Sequence, residues 1–539
     1  MRLSSVFLAA ASLAVGVQAQ DPPFSEQLLK TLDAFSSSDP IISSLVATIE
    51  SNSEVLDNTI NLSNRSLLAP ADRSRLACKL LSCVFSTGYS DSSSTSTYNV
   101  LKTKNWSANC DLPAACFVTP DHPAKVAVAL QIITLTQSKF AVRSGGHNPN
   151  IGFSSVGAEG VTIDTQSFTA LSLNADKSLA TVGAGLRFGA VQSYLDQQGV
   201  AVVSGRNKDV GVGGLLLGGG HPIINSLTGL AADNIDSATV VTSDFRVVKA
   251  SASSNPDLFK ALKGGVNNFG VVTEYVLKTK QPRNIWYRIA AYPTTNPKAF
   301  FEALVAVQKN MESDPKAGIA VTASPAAFAV SFVYGAYTGD PAVFAPFKSL
   351  TPTAESTPPT NGTTLGFITL QSPPQPENFS RDTVGVTTYL DADLYTEIYN
   401  QYLTAASTYN SATTTLLMPI QTFGSGSAKV AAANGGNVMG QSAKAQTWWN
   451  PIAQWSNTPA DDSKVHTALI NLAHSIQSSA QAKGLYDKYI FANIASKDQQ
   501  VLNSYGQANL DFMKTVSKKY DPLQTFQKLQ NGGFLVTKA

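Results

Sequence analysis

The chain reads as an α+β protein in which strands outnumber helices, with length enough for two to four domains. Three observations predict this. From Ala115 onward, short apolar runs of strand character alternate with runs of helical spacing. Two glycine-dense stretches punctuate that alternation: Arg143-Ser144-Gly145-Gly146-His147, and further on Val210-Gly211-Val212-Gly213-Gly214-Leu215-Leu216-Leu217-Gly218-Gly219-Gly220. Gln281-Pro282-Arg283 then marks a boundary, beyond which a second set of strands and longer helices begins.

Taken in order, residues 20–75 are polar with amphipathic stretches at 24–35 and 40–49, which predict short helices. The Ser/Thr-rich run 86–97 predicts a loop. Cys116-Phe117-Val118 predicts a strand, 123–136 a helix and 140–142 a strand. Strands follow at 161–164 and 178–182, a helix at 188–197, and a hairpin from 239–241 and 247–248. Past the boundary, 286–291 predicts a strand. In 297–311 the apolar residues Phe300, Phe301, Leu304, Val307 and Met311 have helical spacing. Residues 327–337 and 413–421 predict strands, and the Thr/Pro-rich run 352–364 an exposed loop. A long helix is predicted at 461–482, with Val465, Leu469, Leu472, Ile476 and Ala480 on one face. Residues 283–484 therefore form a second domain, an antiparallel sheet backed by helices, expected to bind substrate.

Composition narrows the partners. Charged residues make up 14% and the formal net charge is +2, with no basic cluster, so nothing points to nucleic acid or another polyanion. Residues 1–19 read as a secretory signal. Arg2 supplies the basic end, 6–17 is a short apolar run, and Val17-Gln18-Ala19 places small residues before a cleavage site. The run is too short to span a bilayer, and no membrane partner is expected. The expected location is extracellular, as a monomer. In an oxidising compartment Cys78, Cys83, Cys110 and Cys116 are expected to pair, in one of three ways. Their gaps do not suit a Cys-x2-Cys zinc site, and no metal is expected. Asn61, Asn64, Asn105, Asn361 and Asn378 are glycosylation sequons, each followed by Ser or Thr two places on.

Glycine lets backbone come close to a ligand. A Gly-Gly pair bracketed by Arg143 and His147 predicts a turn that offers amide N–H groups to an anion, with a nucleophilic imidazole beside it. Other nucleotide and hydrolase signatures are missing. Gly183-Ala184-Gly185 is followed by Gly189, one residue off the dinucleotide-binding spacing, and there is no Walker loop, His-Glu-x-x-His or Gly-x-Ser-x-Gly.

These residues belong to a larger resemblance. The blocks 140–147, Val182-Gly183-Ala184-Gly185, Gly205-Arg206, 210–220, Gly229-Leu230-Ala231-Ala232-Asp233-Asn234, Asn255-Pro256-Asp257-Leu258-Phe259, Gly264-Gly265 and Phe269-Gly270-Val271-Val272-Thr273 occur in that order. Together they resemble the FAD-binding domain of the vanillyl-alcohol oxidase and p-cresol methylhydroxylase (PCMH) superfamily, and most closely the berberine-bridge-enzyme-like oxidases in their secreted fungal form. Near the C-terminus Tyr505-Gly506 and Lys519-Tyr520-Asp521-Pro522 resemble the family again. The resemblance implies a bipartite PCMH-type FAD-binding domain beside the substrate domain. It divides the chain into an N-terminal helical region (20–109), the FAD domain (110–282), the substrate domain (283–484) and a segment that returns to the FAD domain (485–539). It favours Cys78–Cys116 among the pairings, leaving Cys83–Cys110.

The resemblance also implies roles for single residues. Arg143, Ser144, Gly145 and Gly146 hold FAD, and His147 bonds covalently to the flavin. Many relatives add a second bond through a cysteine where this chain has Asn207, so attachment through His147 alone is implied. Val210 matches a position beside the flavin that governs oxygen access. Gly211, Gly214, Gly270 and Val272 pass backbone near the cofactor. Asp233 and Asn234 match a turn close to it, although an ordinary Asx turn has the same residues. Asn493 persists from a Tyr-x-Asn-Tyr pattern that supplies the base in sugar oxidases, but both tyrosines are gone, leaving Phe491-Ala492-Asn493-Ile494. His221, directly after the triple glycine, is the candidate for proton transfer or substrate orientation, with Tyr334, Tyr337, Tyr389 and Glu397 as weaker candidates. The implied function is a secreted FAD-dependent oxidase that takes a hydride from an alcohol, sugar or specialised metabolite and passes the electrons to O2, giving H2O2. A dehydrogenase or oxidative cyclase slow with O2, and a non-catalytic flavin-binding glycoprotein, are the alternatives.

Overall fold

The structure is a computed structural model that describes residues 22–59, 68–373, 375, 377–456 and 458–539. The signal expected at 1–19 and the sequons at Asn61 and Asn64 lie outside the described residues.

Three sheets organise the chain. The first runs Tyr89–Asp91, Cys116–Val118, Gly160–Asp164, Lys139–Arg143, with the last three strands parallel. Parallel neighbours need a crossover, and the helix Pro123–Thr136 supplies it. That helix is apolar on nearly every side. It is buried accordingly, packed against the N-terminal helices Phe24–Leu32 and Pro70–Val84 and against the second sheet. His122 caps its start by accepting the Ala124 N–H at 3.2 Å, and Pro123 occupies the first helical position. The second sheet is antiparallel, in the order Leu171–Leu173, Leu179–Gly183, Val271–Lys278, Ile235–Val241, Val247–Ser251.

The third sheet is antiparallel and has ten strands. Its main path runs from Ala354–Thr363 through Asn284–Tyr292, Phe328–Tyr334, Ala317–Ala323, Thr414–Phe423, Gln446–Trp449 and Val386–Tyr389 to Tyr486–Asp487. The helices Pro297–Met311, Ala392–Tyr409 and Pro459–Ala482 cover one face of it. An aromatic core fills the space between, with Phe300, Phe301, Phe328, Tyr395, Tyr399 and Trp449 buried. A separate core joins the second sheet to the C-terminal helices, and a third joins the first sheet to the N-terminal helices. The chain's end runs beside the first sheet. Phe140 N–H donates to Leu529 O (3.0 Å) and Asn531 N–H to Phe140 O (2.8 Å).

Three sequence expectations are corrected. Residues 352–364 are not a loop. Ala354–Thr363 is an edge strand, which tolerates Pro358 and Pro359 because one side pairs with nothing and the register with Asn284–Tyr292 shifts around Ile289. The run 86–97 holds the strand Tyr89–Asp91 and the start of the helix Thr95–Lys102, anchored by buried Tyr98 and Leu101. Cys78 and Cys116 are joined (Cα–Cα 5.9 Å), but Cys83 and Cys110 are free thiols. Cys78 and Cys83 share one helix and point about 140° apart around it, so only one meets the sheet. Cys110 is buried elsewhere, its Sγ 3.3 Å from Pro149 O.

Among the described residues no helix is long and apolar enough to cross a membrane.

Candidate cofactor site

The first glycine loop leaves the strand Lys139–Arg143 at its C-terminal end. Register puts Arg143 opposite Asp164 on the parallel neighbour. The Arg143 guanidinium is 1% exposed. Its Nε donates to Asp164 Oδ2 at 2.8 Å, and Nη2 lies 2.7 Å from the same oxygen. Its side chain therefore holds the loop from beneath. Ser144 Oγ is also turned inward, donating to Ala184 O at 2.6 Å. The backbone is what remains open. Among the described residues nothing accepts the N–H of Ser144, Gly145 or Gly146. Gly146 has φ +65°, the left-handed conformation that lets successive N–H groups converge.

The second glycine stretch meets the first directly. A Cβ on Gly145 would stand 2.5 Å from the Gly211 Cα, and one on Gly211 would stand 2.4 Å from the Gly145 N. Only glycine at both positions allows this approach. Arg187 ties the two loops together, since its guanidinium donates to Gly145 O (2.8 Å) and to Asp209 O. The chain then enters the short helix Val212–Leu217. There Gly214 faces open space, with nothing within 4 Å of a Cβ built on it. Val210 is half-buried, and its carbonyl accepts the Phe188 N–H at 3.1 Å. Asn207 makes an Asx turn, accepting the Asp209 N–H at 2.7 Å. Asn493, though far away in sequence, bridges both ends of the glycine run. Its Nδ2 donates to Gly214 O (3.2 Å) and its Oδ1 accepts the Gly220 N–H (2.9 Å).

His147 lies flat on Trp106, ring centroids 4.4 Å apart and planes within 12°. Trp106 N–H in turn donates to Gly146 O at 2.9 Å, and the Arg381 guanidinium lies over the Trp106 ring at 4.9 Å. Burial, and then the nearby charges of Arg187 and Arg381, lower the His147 pKa to about 4. Its imidazole is neutral at physiological pH, the nucleophilic form. Part of its surface stays accessible.

Other expected residues have structural partners. His221 is 6% exposed, packed against Trp448 and Phe491, with Nε2 donating to Thr422 O at 3.0 Å. Burial lowers its pKa to about 3. Its ring is thus held in the core by a carbonyl and two aromatic rings. Asp233 accepts the Leu230 N–H and the Asn437 amide, both at 2.9 Å. Asn234 donates to Thr228 O and Leu230 O. This pair builds a local turn rather than a ligand surface. A Cβ on Gly270 would meet Val240 at 2.5 Å, and Val272 is buried opposite Val240 in the second sheet. Tyr337 is exposed, Tyr389 donates to Asp487 (2.9 Å), Glu397 holds Ser479 and Lys483, and Tyr334 ends its strand half-buried. Asn361 and Asn378 are exposed. The Asn105 amide already donates to Cys110 O and Asp111, both at 3.0 Å, so a glycan there would displace those bonds.

The site also contains residues that sequence reasoning passed over: Trp106, Arg187 and Arg381. Gly205-Arg206 was legible as a block, but nothing in it signalled a role.

Residues 114–251 match the family described as FAD binding domain. Among curated proteins the chain is 36% identical over 454 residues to the FAD-dependent monooxygenase yanF of Aspergillus niger, covering 82% of this chain and 76% of the relative. It is 37% identical over 468 residues to an FAD-dependent monooxygenase of Arthrobotrys oligospora, covering 86% and 90%. Among solved structures it shares the fold of BBE-like 1 from Physcomitrella patens, with TM-score 0.72 and 20% identity over 85% of this chain and 99% of that one. It also shares the fold of the glucooligosaccharide oxidase of Acremonium strictum, with TM-score 0.66 and 19% identity over 78% and 92%; that enzyme is described with a 6-S-cysteinyl, 8α-N1-histidyl FAD. The two glycine loops and the sheets that carry them share the fold of BBE-like 1, and the sequence places the chain in a known group: it belongs to the FAD-dependent oxidoreductases that include these FAD-dependent monooxygenases.

Proposed function

We propose that FAD is held across the two glycine loops, bonded to the protein through His147 alone, and that the enzyme oxidises a small molecule at the expense of O2 with release of H2O2. The residues fit the group. The open N–H groups of Ser144, Gly145 and Gly146 suit a pyrophosphate without a lysine. His147 is neutral, partly accessible and fixed in plane by Trp106. Asn207 has no thiol with which to form a second bond. When bound, FAD supplies the hydride acceptor and the reaction with oxygen. The protein supplies position: Arg143 and Asp164 set the height of the first loop, Arg187 fixes it to the second, and Asn493 clamps the far end of the glycine run.

The observation that carries this reading is the backbone contact of Gly145 with Gly211 beside a neutral histidine. The substrate is read as an alcohol or specialised metabolite, because Phe491 and Ile494 replace the tyrosines of the sugar oxidases. The Cys78–Cys116 disulfide supports a secreted protein.

A second reading rests on the relatives' names. Both curated relatives above are called FAD-dependent monooxygenases, which insert oxygen rather than release it as peroxide. Turnover of a phenolic and alcohol panel under 18O2 separates the two. The oxidase reading expects unlabelled product with one H2O2 for each product formed; labelled product without stoichiometric peroxide contradicts it. The cofactor reading is tested by acid precipitation, with yellow colour in the pellet for wild type and in the supernatant if the bond is absent.

A further inference from the structure

Arg206 stands apart from the other arginines. Each of the other described arginines has a carboxylate or an oxygen acceptor: Arg75 has Asp72, Arg143 has Asp164, Arg187 has Gly145 O and Asp209 O, and Arg246, Arg283 and Arg288 have acidic partners. Arg73 donates to Leu68 O and Arg381 to Gln454. Among the described residues Arg206 has no hydrogen-bond acceptor and no carboxylate. It is not a surface residue in free water either. It is half-buried, and burial lowers its pKa to about 10. A partly desolvated charge without a counter-charge is costly to keep.

Its backbone is fixed on both sides. Ser204 Oγ donates to Gly205 O (3.1 Å), and Gln192 holds Val202 O at 2.6 Å. After Arg206, Asn207 closes its Asx turn, and Lys208 N–H donates to Ser372 Oγ at 2.8 Å. A guanidinium on a rigid stem, with its five donors uncommitted, is built for a planar anion. The one titratable neighbour whose protonation its charge disfavours is His221. That ring is neutral, carries an unpartnered Nδ1, and is flanked by Trp448 and Phe491.

We propose that Arg206 is an anion-recognition residue, poised to pair with the carboxylate or phenolate of an aromatic substrate or with an anionic group of the cofactor. The proposal rests on the FAD reading for what lies beside Arg206, but its test does not depend on that reading. Wild type, Arg206→Met and Arg206→Lys are purified as holoenzyme. Flavin content is measured by absorbance, and binding of benzoate and of its neutral analogue benzamide by calorimetry. Arg206→Met is expected to keep its flavin and weaken benzoate binding about tenfold or more, with Arg206→Lys in between and benzamide unaffected. If Arg206→Met instead loses flavin that Arg206→Lys retains, the anion recognised is the cofactor's own. Equal flavin content and equal benzoate binding, or no benzoate binding, across all three proteins overturns the proposal. Wild type without any flavin would count against the cofactor reading and leave the benzoate comparison to stand alone.

Discussion

His147 follows Gly145-Gly146, and His221 follows Gly218-Gly219-Gly220. Around His147 the glycines bring backbone to backbone and leave N–H groups open. Around His221 they admit core side chains: a Cβ on Gly219 would strike Met439 and Phe491, and one on Gly220 would strike Leu215 and Ala231. Both rings are neutral, but one lies flat on Trp106 with surface to spare, and the other is wedged among Trp448 and Phe491 and bonded to Thr422 O. A glycine run before a histidine therefore has two physical uses, close approach to a ligand and close packing of a core. What stands across from the glycines decides which.

Substituting the two histidines should separate these uses. His221→Ala opens a cavity in the core and removes one of the two donors to Thr422 O, leaving Asn225 Nδ2 at 2.9 Å, so a loss of about 2–4 kcal/mol is expected, with covalent flavin retained. His147→Ala removes one stacked ring, worth about 1 kcal/mol, and abolishes the covalent bond. Thermal melting and acid precipitation of both variants read the contrast directly. The same outcome for both variants would break it.

The glycines themselves come next. Gly145→Ala or Gly211→Ala drives a methyl into backbone that cannot yield, at an expected cost of about 1–3 kcal/mol together with lower flavin content. Gly214→Ala meets nothing and lies in a helix, so it is expected to raise stability by roughly 0.5–1 kcal/mol. A drop in flavin content in a protein so stabilised would assign Gly214 to the cofactor face.

The smallest effect belongs to a third histidine. His466 lies between Asp382 (2.5 Å) and Asp498 (2.6 Å), with Lys497 beside Asp498. The hydrogen bond to Asp382 raises its pKa above the ordinary 6.5, against burial and Lys497. A raised folded-state pKa gives stability that is full below about 6.5 and is lost as pH rises through the folded value. The loss should be under about 1 kcal/mol because Asp498 is half-exposed. Melting curves from pH 6 upward should show it in wild type and not in His466→Gln. The opposite slope would contradict the clamp.

Both glycine loops, the helices Pro123–Thr136, Phe188–Gln197 and Pro297–Met311, and the Cys78–Cys116 bond were legible because each follows from local spacing or from the family resemblance. What was not legible depends on long-range register. The task of the Arg143 side chain emerges only from the parallel pairing that sets it opposite Asp164. Asn493 looked like a relic of a catalytic pattern until it reached Gly214 and Gly220 across more than half the chain. Cys83 looked paired because a count of cysteines ignores which face of a helix each occupies. The edge strand Ala354–Thr363 was hidden by prolines that only an edge accepts. Trp106, which sets the plane of His147, carries no sequence signal at all.

The central claim is a flavin bonded at His147 and nowhere else. Proteolysis of the holoenzyme followed by mass spectrometry tests it most directly. The account predicts one flavin-bearing peptide, the one containing His147, and an unmodified peptide containing Asn207. A flavin on any other peptide, or flavin recovered entirely free, would contradict it.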